Sequence, residues 1–254
     1  MDFASIARFG LLVVRPGMLI MAAPAFGAPY SPARARLGLT VLLALMLAPV
    51  VAVPVLSTPV GLGVVVAHEL AIGLALALAI RALVAGAELA GHLTGNQLGL
   101  SMGAIIDPQS GVRNNLIAAL YANLALLTFF AVNGHHAFLR TLAQSYVALP
   151  IGAVRPGGNV AALVPAVTQM LGVVFVLGVR LAAPVIVVLL VVEVALGLVS
   201  RAAPALNVMA IGTPVRLLVG LLVVAAVIPV VPGLVTRFIS TVAELGMAAA
   251  RAFR

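Results

Sequence analysis

Residues 60–103 read "VGLGVVVAHELAIGLALALAI" followed without a break by "RALVAGAELAGHLTGNQLGLSMG". The first of these stretches is apolar except for His68 and Glu69. About 20 such residues suffice to carry a helix across a bilayer core of about 30 Å. The second stretch keeps helical spacing while turning polar, so it should leave lipid and pack on protein. An all-α fold, a polytopic integral membrane protein of long kinked helical hairpins, is the expectation.

Leu37 to Leu56, Leu116 to Val132, Val185 to Val199 and Leu217 to Val231 come near the same length and apolarity. The whole chain of 254 residues is 64% hydrophobic and 8% charged, against about 25% charged in soluble domains. Its net charge of +8 rests on 14 basic residues, all Arg and spread along the chain, which argues against a nucleic-acid groove. With no Cys, neither a disulfide framework nor a Cys-based metal site is available. Asp2, and Arg15-Pro16 inside the first apolar run, fit a cleaved leader poorly, so the N-terminus is expected to be retained.

Further helices are expected over Phe3 to Met21 with a kink at Pro16, and over Arg36 to Leu56 with breaks near Pro49 and Pro54. "NGHHAFLRTLAQSYVALPIG" reads as a short amphipathic helix, capped by Asn133 and ended by Pro150 and Gly152. Ala161 to Ser200 reads as one helix kinked at Pro184, about 60 Å long and twice the bilayer core. Asn207 to Arg254, with Pro214, Pro229 and Pro232, completes an antiparallel hairpin with it. Glu88, Arg180, Glu193 and Arg216 lie within apolar surroundings, where a charge facing lipid costs at least about 2.5–3.5 kcal/mol. They are expected to be buried charges, which argues for an assembly. Arg in nearly every loop leaves membrane topology undetermined.

Several motifs suggest chemistry. Gly91, Gly95, Gly99 and Gly103 recur every fourth residue and predict a helical stripe that another backbone can approach, a helix-packing site. Gly99-Leu100-Ser101-Met102-Gly103 matches the G-x-S-x-G nucleophile elbow, with Asp107 and His135 or His136 following in hydrolase order. That elbow needs a preceding strand, and none is readable. His68-Glu69 opens a zinc-protease motif that fails because Ile72 and Gly73 follow where the second His is needed. Glu88 and His92, one turn apart, lack a third ligand. No catalytic residue, metal or cofactor is therefore expected, and no nucleotide motif occurs. The polar loop "AIIDPQSGVRNN", residues 104–115, is turn-prone through Asp107-Pro108 and Ser110-Gly111. Irregular backbone at membrane depth survives where protein or a water-filled cavity surrounds it.

Four segments, "APAFGAPYSPARARLGL", "GAELAGHLTGNQLGLSMGAIIDPQSG", "FFAVNGHHAFLRTLAQSYVALPIG" and "VALGLVSRAAPALNVMAIGTPVRLLVGL", occur here in order. On them the chain resembles the FliR family of flagellar export-gate proteins and its injectisome relatives, the SctT-type proteins, nearly from end to end. The resemblance implies a non-enzymatic subunit of a helical export-gate assembly in the bacterial inner membrane, at the flagellar basal body. It implies FliP-like and FliQ-like partners forming the pore, further FlhB-like and FlhA-like membrane proteins nearby, and unfolded export substrates. It also implies that residues 1–160 are FliP-like and 161–254 a FliQ-like hairpin, and that Ile105, Ile106, Asp107, Pro108, Gln109, Ser110 and Gly111 plug the closed pore. Arg113, Asn114 and Asn115 make the end of this loop more polar than the family pattern. Two other classes stay open: a secondary transporter for a small solute, suggested by midchain charges and Pro-broken helices, and an intramembrane hydrolase using Ser101. The transporter would need two similar halves, and the halves here differ.

Overall fold

Long apolar runs punctuated by Pro and Gly give helices, and every regular element among the described residues is helical. The computed structural model describes residues 3–22, 31–54, 59–100, 116–152, 160–203 and 208–251. In chain order these form α1 (Phe3–Ala22), α2 (Ala33–Leu47), α3 (Pro59–Gln97), α4 (Leu116–Ala131), α5 (Gly134–Ala148), α6 (Val160–Ala202), α7 (Val208–Val227) and, after a 3₁₀ turn at Ile228–Val230, α8 (Val231–Arg251). Gly103 and the loop 104–115 lie outside the described residues.

Among the described residues three helical runs are long and apolar enough to cross a membrane, Val60–Gln97, Val164–Ala202 and Ile211–Arg251, with the bent pair Leu116–Ala131 and Gly134–Ala148 a fourth if it is one span. The polar second stretch of the opening segment thus continues α3 as one helix of 39 residues, about 58 Å long. α6 runs on through Pro184 for 43 residues, about 64 Å. α2 is shorter than expected: it stops at Leu47, two residues before Pro49, and no helix resumes among the described residues up to Pro54. Pro49 brings no N–H to the next turn and its ring opposes continuation. The run from Asn207 is likewise interrupted where Pro229 enters the 3₁₀ turn.

The chain divides into two units. Unit 1 comprises residues 1–82, 129–172 and 239–254. In it α1 buries Leu11, Leu12, Arg15, Leu19 and Ile20, the three-and-four spacing of one helix face. The turn between α4 and α5 rests on Asn133 at φ 57°, a left-handed conformation that Asn tolerates. Asn133 makes no side-chain cap bond, so the expected cap is corrected to a backbone role. Gly134 follows because a Cβ there would stand 2.5 Å from the Phe129 ring.

Unit 2 comprises residues 83–128 and 173–238. Here α6 and α7 run antiparallel: Leu196 lies against Gly212, Glu193 pairs with Arg216, and Leu189 lies against Gly220. α3 meets α6 where Gly86 faces Leu177 and Gly178 faces Leu89, small residues admitting large neighbours.

Candidate functional site

The most buried polar constellation lies in unit 1 and joins α1, α3 and the end of α5. Arg15 and Glu69 are both 0% exposed. The Arg15 Nε donates to Glu69 Oε2 and Nη2 donates to Glu69 Oε1 at 2.9 Å, a bidentate charge-assisted pair. Nη2 also donates to the Leu149 carbonyl at 2.6 Å and Nη1 to Ser145 Oγ at 3.2 Å. Leu149 follows the last turn of α5, where helix carbonyls lack internal donors, so the guanidinium supplies one. The Tyr146 ring lies 4.4 Å from the guanidinium carbon, within cation–π range.

Pro16 completes this arrangement. It has no N–H, which leaves the carbonyl of Leu12, four residues back, without its helical donor. Tyr146 Oη donates to that carbonyl at 3.2 Å. One helix of 15 residues thereby closes both the charge and the backbone defect of α1. One turn beyond Glu69, Gly73 lets α1 approach: a Cβ there would stand 2.9 Å from Met18 Cβ and 3.3 Å from Arg15 Cα. Both carboxylate oxygens are occupied by the guanidinium, so the cluster is a clasp between helices and leaves no free base or ligand.

The sequence-level candidates fall elsewhere. Gly91 in unit 2 is a close-packing position: a Cβ would stand 2.2 Å from Ala118 Cα. Its neighbour is α4 of the same chain, so this glycine is not left open for a partner subunit. Gly95 is buried in α3. Gly99 departs from the ladder, because its φ of 78° stops the helix and nothing lies within 4 Å of a Cβ built there. Leu100 N–H bonds the Gly95 carbonyl at 3.1 Å and Gly99 N–H bonds that of Asn96 at 3.1 Å, the Schellman pattern of a helix end. A helix terminus, and not a strand, thus precedes Ser101, opposite to what a nucleophile elbow requires.

In the single chain the four charges expected to be buried in an assembly lie as follows. Arg180 is exposed, and Glu88 is half-buried with no ion-pair partner among the described residues. Glu193 and Arg216 pair at 3.2 Å with side chains 39% and 41% exposed. The buried pair is Arg15–Glu69, which spacing could not reveal because the partners stand 54 positions apart. A signal existed: each is a charge inside an apolar run, and the two have opposite sign. Among the described residues no group of three His, Cys, Asp or Glu is arranged to hold a metal.

Along α3 most of the exposed positions lie on one stripe. It is apolar at Val64, Leu70, Leu74 and Leu78, then polar at Arg81, His92 and Asn96 as the helix nears residue 100. α8 is amphipathic in the same sense, burying Val235, Ile239 and Val242 and exposing Arg237, Ser240, Thr241 and Glu244.

Comparison with known proteins gives concordant matches. The family described as Bacterial export proteins, family 1, matches residues 6–242. The flagellar biosynthetic protein FliR of Pectobacterium carotovorum is 32% identical over 244 residues, covering 94% of this chain and 91% of the relative. FliR of Caulobacter vibrioides is 35% identical, covering 85% and 86%, and FliR of Escherichia coli is 35% identical, covering 84% and 81%.

Proposed function

The chain belongs to the bacterial export proteins, family 1, and from that membership we propose that this membrane protein of the flagellar export apparatus is a subunit of its export gate. It forms the pore for unfolded flagellar proteins together with FliP-like and FliQ-like subunits in the bacterial inner membrane, at the basal body. Residues 1–160 act as the FliP-like part and 161–254 as the FliQ-like hairpin, with FlhB-like and FlhA-like proteins alongside. The loop from Ile105 to Gly111 closes the pore between export events. The protein carries no reaction of its own, and the energy for transport comes from elsewhere in the apparatus.

The observation that carries this reading is the family match over residues 6–242, which runs through the polar loop. Flagellar names on the matched relatives favour the flagellar system over the injectisome. The polar end of the α3 stripe gives further support, since Arg81, His92 and Asn96 suit an aqueous path and not lipid.

The test is deletion of Asp107 to Gly111 in cells that otherwise assemble the apparatus. The expected outcome is a membrane leaky to small ions, read with an ion-sensitive dye, while Ser101→Ala leaves export and motility near wild type. A deletion that is leak-free and motile overturns the plug role, and loss of export with Ser101→Ala restores the hydrolase.

A further inference from the structure

α6 presents a second exposed stripe. Val176, Arg180, Val187, Val191, Val194 and Leu198 recur at helical spacing, and the five apolar members are 40% to 65% exposed. The stripe runs about 33 Å along the helix. Arg180 is its single charge, and among the described residues no carboxylate pairs with it.

The neighbouring hairpin helix cannot supply one. Continuing the register set by Leu196 with Gly212, Glu193 with Arg216 and Leu189 with Gly220 brings Arg180 level with Ile228–Val230, a turn without an acid. The hairpin's own Glu193 is taken by Arg216, and Glu69 is taken by Arg15. With 14 basic residues against 6 acidic ones, the chain is short of counter-charges as a whole.

Neither simple surrounding suits the stripe. Lipid would accept its valines and leucine but strand the guanidinium, with apolar exposed side chains both before and after it along the helix. Water would solvate the guanidinium and leave the apolar side chains wet. An apolar protein helix carrying one carboxylate opposite Arg180 satisfies both.

We propose that the Val176–Leu198 stripe of α6 is the docking surface for a helix of another subunit, apolar along its contact face and bearing an Asp or Glu that pairs with Arg180. This rests on the export-gate reading and deepens it by naming the chemistry of one partner contact. A bidentate guanidinium–carboxylate contact fixes axial register, which a smooth stripe of Val and Leu would leave free to slide.

The experiment places a photo-crosslinking amino acid at Val187 or Val191 of the full chain in its native cells and identifies adducts by mass spectrometry. The expected adduct joins a different membrane protein, on an apolar helix with a carboxylate within one turn of the level of Arg180. Arg180→Glu should lower the recovered complex at least tenfold, and changing the partner carboxylate to Arg should restore it. Arg180→Lys should retain most of the complex. Adducts to lipid alone, to a second copy of this chain or to a helix without an acid at that level overturn the inference, as does an Arg180→Glu chain that assembles normally. Failure of the export-gate reading looks different: a tagged wild-type chain would then recover no export-apparatus proteins at all.

Discussion

Arg15 is the residue whose removal should cost the fold most. A buried ion pair gives little net stability over an apolar pair, but breaking it leaves an uncompensated charge, at about 3–5 kcal/mol. Arg15→Leu and Glu69→Leu should therefore each lower the thermal midpoint of the purified complex strongly, and the double replacement should be milder than either. Arg15→Lys should not rescue, because a single ammonium cannot serve both carboxylate oxygens, Ser145 Oγ and the Leu149 carbonyl in one plane. Thermal shift on the four variants decides this, and additive losses would contradict a coupled pair. At this scale the sequence was least legible. Glu69 reads as half of a failed metal motif and Arg15 as an interruption of an apolar run, because their shared meaning exists only once α1 and α3 are side by side.

Elements were far more legible, since each long helix follows from apolar spacing and ends near a Pro or Gly. Misreadings came where one residue type serves two purposes. Asn133 is chosen for its left-handed backbone instead of a cap, and Gly99 for a helix stop instead of packing. Helix α3 offers a direct contrast between glycines. Gly91→Ala would drive a methyl into the Ala118 backbone, and overpacking costs about 1–3 kcal/mol or more where backbone cannot yield. Gly63→Ala meets nothing within 4 Å and should gain about 0.5–1 kcal/mol of helix stability. Paired chemical or thermal denaturation of the two variants should give opposite signs, and equal effects would remove the close α3–α4 seam.

For the whole molecule, many exposed apolar side chains among the described residues lie along the membrane-spanning helices. Leu190, Leu218 and Leu222 are about 60% exposed, and charges such as Arg180 stand among similar neighbours. A tagged copy extracted gently from native cells should therefore come out in one stable particle with FliP-like and FliQ-like proteins, identified by mass spectrometry. The same chain produced alone should elute as a broad aggregate in size-exclusion chromatography. A monodisperse lone chain or a simple self-oligomer would move the transporter reading to the front. The class of the protein was visible from composition, whereas the Arg15–Glu69 pair was not, because its members stand 54 positions apart and meet only in the folded chain.

The clasp around Arg15 also sets an order of events during synthesis. Glu69 follows Arg15 by 54 positions, but Ser145 and Leu149 follow it by 130 and 134. At about 5–20 residues per second the ribosome needs roughly 7–27 s to deliver Leu149 after Arg15 has emerged. Once Glu69 has emerged, and until Leu149 follows, α1 and α3 can hold a charge pair only with one edge unsealed and a Pro16-freed carbonyl without its Tyr146 donor. On this order α5 is the latch, the last element to reach the clasp and the one that closes it.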